Sequence, residues 1–149
     1  MLVTHSACNV VYREGVNGLE FLVMDYQSTD PRSNRSKKKE VRFPTGTSES
    51  GEFGESTDET SVRKLEEETG LLAIDTERIA SKPIRDEDHI KYAFLINYAE
   101  CLGELRKEPV TIRGDWMSAP YWVRVDDLRT LIAPVHFWVY RAAVEELTR

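Results

Sequence analysis

The chain has 149 residues, 40% hydrophobic and 31% charged, with a formal net charge of −6. This describes one folded globular domain with room for a substantial core, not a disordered chain, and the acidic balance argues against general coating of nucleic acid. Cys8 and Cys101 suggest neither a disulfide framework nor a zinc site, and the absence of a leader pattern or of a long apolar run leaves a cytoplasmic setting, with no membrane, as the expectation.

Residues 7–12 and 20–26 are rich in Val, Tyr, Phe and Leu and read as strands, with Gly15-Val16-Asn17-Gly18 supplying the turn of a hairpin. From residue 28 to 39 the composition turns to Ser, Asp, Asn, Pro, Arg and Lys, which marks a loop. Its basic residues Arg32, Arg35, Lys37, Lys38 and Lys39, with Arg42 just beyond, admit two readings. They either engage phosphates or decorate a solvated loop that is long for one without a role. Residues 40–43 read as a short strand leading into Pro44-Thr45-Gly46, and residues 47–53 as an extended polar loop.

A helix follows. Ser56 with Glu59 three residues on makes a capping box, and Gly70 is a left-handed stop. Positions 64, 67 and 68 project together on it, with Arg63 beside Glu67. The adjacent carboxylates Glu67 and Glu68 form a hard-oxygen site suited to hydrated Mg²⁺ or Mn²⁺, although acidic runs are commonly no more than solvated faces. Glu66 lies about 100° around the helix from Glu67 and is not an equivalent ligand.

Beyond Gly70, residues 71–74 and the segment around Ile79 are expected to form a strand pair or one bent strand. Residues 91–99 read as a strand with Tyr92, Phe94, Ile96 and Tyr98 on one side. Residues 122–125 form a short strand, after which Asp126-Asp127-Leu128 begins a helical turn. From Val135 on, Phe137, Tyr140, Val144 and Leu147 recur at helical spacing, giving an amphipathic C-terminal helix. Such elements suit a sheet covered on both faces. His5, His89 and His136 show no ligand spacing and read as incidental, and no nucleophile elbow is present.

The segment 54–71, G-E-S-T-D-E-T-S-V-R-K-L-E-E-E-T-G-L, resembles the Nudix box, G-x5-E-x7-R-E-U-x-E-E-x-G-U with U a bulky aliphatic. Glu55, Arg63, Leu65, Glu67, Glu68, Gly70 and Leu71 fall in register. Phe43-Pro44-Thr45-Gly46 resembles the usual proline-glycine-glycine lead-in, and W-V-R-V-D-D-L at 122–128 resembles a common ending. Two departures stand out. Lys64 replaces the Glu that follows the Arg, and three extra residues lie between Gly46 and Glu55.

The resemblance implies an α+β fold, an α/β/α sandwich around a mixed β-sheet. It implies a pyrophosphohydrolase acting on a nucleoside diphosphate linked to another moiety, with Glu67, Glu68, Arg63 and Glu55 as the working residues of the box. Mg²⁺ or Mn²⁺ would be held by Glu67, Glu68 and a carbonyl near Thr45 or Gly46, and Arg63 would brace Glu55. Arg42, Lys64 and Asp115 are candidates for substrate binding. Glu49 and Glu52 are candidates to replace the missing acid, and Asp115, expected in a loop, or Glu87 or Asp88 to add a further one.

Lys64 weakens the expected metal site, because a ligand is lost and its replacement repels the ion. It should pair with Glu67 or Glu68. The same lysine supports a different class of function, a Nudix-fold module that binds a nucleotide without hydrolysing it, since a lysine can hold phosphate as a point charge. A protein-interaction domain is a third reading, and a homodimer is compatible with the sequence.

Overall fold

The structure, a computed structural model, describes residues 4–29, 37–48, 54–84 and 88–149. Its first strands, β1 (Thr4–Gly15) and β2 (Gly18–Gln27), form the antiparallel hairpin expected from the Gly15–Gly18 turn. Two three-residue strands follow, β3 (Glu40–Arg42) on β2 and β4 (Thr45–Thr47) on β1. Helix α1 spans Thr57–Thr69.

Next come β5 (Leu72–Ala73), β6 (Glu77–Ile84) and β7 (His89–Asn97). A short 3-10 turn, Tyr98–Glu100, leads to β8 (Cys101–Leu102). The chain continues through β9 (Val110–Ile112), β10 (Asp115–Met117), β11 (Tyr121–Arg124) and α2 (Val125–Leu128). A 3-10 turn, Pro134–His136, runs directly into α3 (Phe137–Leu147).

The main sheet is mixed. Its path runs β6-β7-β1-β2-β10-β9, with β11 and β3 also on β2 and β4 on β1. The β1–β7 pairing is parallel and the other strand pairings are antiparallel. Period-two alternation sends successive side chains of β1 to opposite faces. Cys8 and Val10 join Phe21, Val23, Phe43, Ala93 and Leu95 beneath Val139, Tyr140 and Ala143 of α3. Val11 joins Leu22, Ile96, Leu71 and Leu65 of α1 on the other face. The result is the α/β/α sandwich, with an apolar layer on each side of the sheet.

Helix α1 begins and ends where its caps require. Glu59 N–H donates to Ser56 Oγ and Ser56 N–H to Glu59 Oε1, each at 3.1 Å, and Gly70 closes the helix at φ 87°. Any side chain at Gly70 would meet the Glu104 carbonyl at 2.4 Å, so both conformation and space demand glycine there. Leu65 supplies the apolar anchor. A buried polar link fixes the helix on β1: Ser61 Oγ donates to Asn9 Oδ1 at 2.6 Å, and Asn9 Nδ2 to the Ser61 carbonyl at 3.2 Å.

Three expectations are corrected. The segments at 71–74 and around Ile79 neither pair with each other nor form one bent strand. β5 pairs with β8 and β6 with β7, because each finds its partner far along the chain. Thr47 belongs to β4, not to an extended loop. Asp115 starts β10 instead of sitting in a loop, paired with Ile112 across a two-residue turn.

Candidate functional site

The buried face of α1 is unusual for a helix lying on a sheet. Beside Leu65 it carries Lys64 and Glu68, only 5% and 4% exposed. Charged side chains are seldom buried unless paired, so this pair marks a site and not a packing surface. Lys64 reaches the cleft by passing under β4. A Cβ on Gly46 would lie 2.3 Å from Lys64 Cδ and 2.4 Å from its Cε, so the lysine stem occupies the volume that any other residue 46 would claim. Lys64 Nζ ends 3.5 Å from Glu67 Oε1, the pairing expected from the shared helix face.

Glu68 accepts the Thr45 N–H at 3.1 Å. Burial is the main influence on its carboxyl and pushes it from 4.5 up to about 8, against the Thr45 hydrogen bond and the nearby Lys64, which pull it down. Glu68 is therefore mostly protonated at neutral pH. Arg106 secures this end of the helix, donating from Nε and Nη2 to the Glu68 carbonyl at 2.9 and 2.7 Å and from Nη2 to the Ser118 carbonyl at 3.0 Å.

Arg63 braces the chain ahead of the helix. Its Nε donates to Glu55 Oε2 at 2.6 Å and its Nη2 to Glu55 Oε1 at 2.9 Å, a two-pronged pair, while Nη2 also reaches the Thr47 carbonyl at 3.2 Å. Glu55 Oε1 accepts from Thr60 Oγ1 at 2.7 Å as well. Arg63 and Glu55 thus hold β4 and the approach to α1 together, and Arg63 Nη1 adds a 3.2 Å contact to Glu67.

A cleft of about 410 Å³ opens on the α3 face of the sheet above these residues. Ser6 and Cys8 of β1, Lys91 of β7, Thr45 to Thr47, Lys64 and Glu68 line it, together with Tyr26, Arg42, Arg113, Asp115 and the start of α3 at Trp138 and Val139. Four cationic side chains, Arg42, Lys64, Lys91 and Arg113, therefore converge in a protein whose net charge is −6. Arg42 stacks over Tyr26 at 4.3 Å and contacts Glu40 at 3.3 Å, yet its buried Nε has no hydrogen-bond acceptor among the described residues. Such an unsatisfied buried donor is costly. Burial, and then a hydrogen bond to Asp115, raise the Tyr26 phenol, so it remains a neutral donor.

His136 is no bystander. It is buried at the cleft, stacked on Phe43 with rings 5.9 Å apart, and its Nδ1 accepts the Phe43 N–H at 3.1 Å. Burial, helped by Arg42 and Lys91, lowers it from 6.5 to about 3, so the ring is neutral and Nε2 carries its proton. His5 and His89 bond to Thr60 and Thr4 through their rings, at 2.7 and 2.6 Å, and serve to join strands and helix. The Cys8 thiol is pushed far up by burial and is unreactive.

The fold gathers Arg42, Thr45, Lys64, Glu68 and Asp115 in the cleft and keeps Glu67 at its edge beside Lys64. Asp88 stands apart; its carbonyl accepts the Thr4 N–H at 2.8 Å. Glu49, Glu52, Glu87, Arg32 and Arg35 lie outside the described residues. Lys37, Lys38 and Lys39 are exposed and do not line the cleft, and Lys39 lies 5.0 Å from the Trp116 ring. Sequence reading overlooked Lys91, Arg113, Arg106, His136 and Trp138. Only Arg113 left a signal, an Arg-Gly pair between two short β-rich segments.

The divalent ion implied by the resemblance does not suit the side chains described. Glu67 is paired with Arg63 and Lys64, and the Lys64 ammonium lies on the helix face that Glu67 and Glu68 share. Among the described residues no three His, Cys, Asp or Glu side chains converge as a metal site.

No protein-family model matches the sequence, and no curated protein matches it. Solved structures do. A MutT from a study of Aliivibrio salmonicida and Vibrio cholerae is similar over 96% of this chain and 98% of its own, with a TM-score of 0.68 and 19% identity. The NUDIX domain of Shewanella oneidensis NrtR, solved with ADP ribose, is similar over 99% and 90%, with a TM-score of 0.66 and 19% identity. A protein described as an ADP compounds hydrolase is similar over 99% and 74%, with a TM-score of 0.67 and 14% identity. The chain has the Nudix fold. Among its described residues no helix is long and apolar enough to cross a membrane.

Proposed function

We propose that this chain is a Nudix-type protein that binds a nucleoside diphosphate linked to another moiety, with Lys64 supplying the positive charge that the resemblance assigns to a metal ion. The observation that carries this reading is the convergence of Arg42, Lys64, Lys91 and Arg113 on one cleft in a protein whose net charge is −6. Arg42 presents a planar fork to one phosphate, and Lys64 meets it as a compact ammonium from beneath Gly46. Neutral His136 adds a donor without adding charge. The similarity in fold to an NrtR domain solved with ADP ribose supports a ligand of this class.

Hydrolysis of the pyrophosphate bond is the second reading, and Glu68 favours it. A carboxyl that titrates near 8 beside the bound phosphates can take a proton from an attacking water as pH rises. In the family, Mg²⁺ or Mn²⁺ supplies charge neutralisation; here the cationic side chains would do so.

Calorimetric titration with ADP, ADP-ribose and inorganic pyrophosphate, in the presence of a chelator, tests the primary reading. Binding is expected without metal and should weaken about tenfold or more in Arg42→Gln, which removes a charged hydrogen bond. Metal-dependent binding unaffected by Arg42→Gln and Lys64→Met would overturn it. Release of nucleotide or phosphate from ADP-ribose, rising with pH through about 8 in the parent and absent in Glu68→Gln, would establish the second reading.

A further inference from the structure

The β9–β10 hairpin turns through two residues, Arg113 and Gly114, between the paired Ile112 and Asp115. Both have positive φ, 53° and 85°. Two successive left-handed residues are the mark of the type I′ turn, whose favoured sequence is Asn-Gly. Gly114 adopts that conformation freely. Arg113 is the only non-glycine with positive φ among the described residues, and a left-handed arginine holds its Cβ against its own carbonyl.

Turn chemistry alone therefore selects asparagine or glycine at 113. What the arginine adds is its side chain, which lines the cleft that Arg42, Lys64 and Lys91 reach from three other elements. Strained backbone kept at the rim of a binding cleft points to a functional demand on that side chain.

We propose that Arg113 determines ligand specificity, binding the second phosphate of a nucleoside diphosphate so that the cleft prefers diphosphates to monophosphates. Arg42 and Lys64 hold one phosphate from the floor. Arg113, exposed on the hairpin, brings a guanidinium fork to the other, where it can make two parallel hydrogen bonds. This inference rests on the proposed nucleotide binding in the cleft.

The substitution Arg113→Asn separates the two demands, since it installs the favoured turn residue and removes the charge. Its affinity for ADP should fall about tenfold while that for AMP changes little, both measured by calorimetry with a chelator present. Arg113→Lys, which keeps the charge and loses the fork, should show a preference for ADP between those of the parent and Arg113→Asn. An unchanged ratio of ADP to AMP affinity in Arg113→Asn would overturn the proposal. Failure of the parent to bind ADP or pyrophosphate overturns the cleft reading along with it. Parental binding that Arg113→Asn matches removes Arg113 alone.

Discussion

Lys64 runs so close beneath Gly46 that a methyl group added to residue 46 would fall 2.3 Å from Lys64 Cδ. The glycine and the lysine are thus one structural unit, and each explains the other. Gly46 has no positive φ to require glycine, so its reason for being glycine is the lysine stem. Gly46→Ala should destabilise the protein by about 1–3 kcal/mol, the usual cost of overpacking a tight site. Because the neighbour, not the backbone, creates the conflict, most of that loss should vanish in a Lys64→Ala background. A double-mutant cycle read by chemical denaturation checks this, and additive losses would show that the two residues are not coupled.

Glu68 makes stability fall as pH rises. Its folded carboxyl titrates near 8, whereas the unfolded one titrates near its ordinary value of 4.5. Between those values the folded state holds a proton that the unfolded state has released. Raising the pH across that window therefore favours unfolding, by at most about 1.4 kcal/mol per pH unit. Glu68→Gln is neutral at every pH and can still accept the Thr45 N–H. Its thermal midpoint should equal the parent's near pH 4.5 and exceed it increasingly up to pH 8, as read by calorimetry in matched buffers.

His136 acts at the other end of the scale. Its folded value near 3 lies below the ordinary 6.5, so under mildly acidic conditions the unfolded chain gains a proton that the folded one refuses. Stability is lost as pH falls below about 6.5, again by no more than about 1.4 kcal/mol per unit. His136→Gln keeps an acceptor for the Phe43 N–H and removes the titration. Between pH 6.5 and 5 its unfolding free energy should change less steeply than the parent's, even if it starts lower through lost stacking on Phe43.

What was legible in the sequence was local. The capping box at Ser56 and Glu59, the stop at Gly70 and the hairpin glycines at 15 and 18 declare themselves within a few residues, and each element formed as read. The two-pronged Arg63–Glu55 pair is close in sequence and matched the box resemblance. Non-local pairing was hidden. Nothing near Ala73 says that its partner is Cys101, and nothing near Lys91 says that parallel pairing with Ser6 carries it into the cleft. The three-residue strands β9 and β10 are too short to display alternation, and an Arg-Gly turn lacks the asparagine that announces such hairpins. His136 was illegible for a different reason. Its role depends on burial against Phe43, 93 residues away in the chain.

Lys64→Glu tests the displaced-charge argument most directly. In the parent, the ammonium lies 3.5 Å from Glu67 and beside the buried Glu68, so a divalent ion meets a repelling charge on that face. The substitution turns that cation into an anion and places three carboxyls on one helix face, a set suited to Mg²⁺ or Mn²⁺. Mn²⁺ affinity at pH 8 should increase at least about tenfold, equivalent to about 1.4 kcal/mol. Metal-free binding of ADP should weaken at the same time, because the point charge facing the phosphate is gone. Adding Mn²⁺ should then restore ADP binding in the variant but not improve it in the parent. That exchange of lysine for ion is the signature of a common position, and it separates Lys64 from a lysine that merely decorates the cleft. If Mn²⁺ binds the variant no better than the parent by calorimetry, the face of α1 that carries Lys64, Glu67 and Glu68 is not a latent metal site.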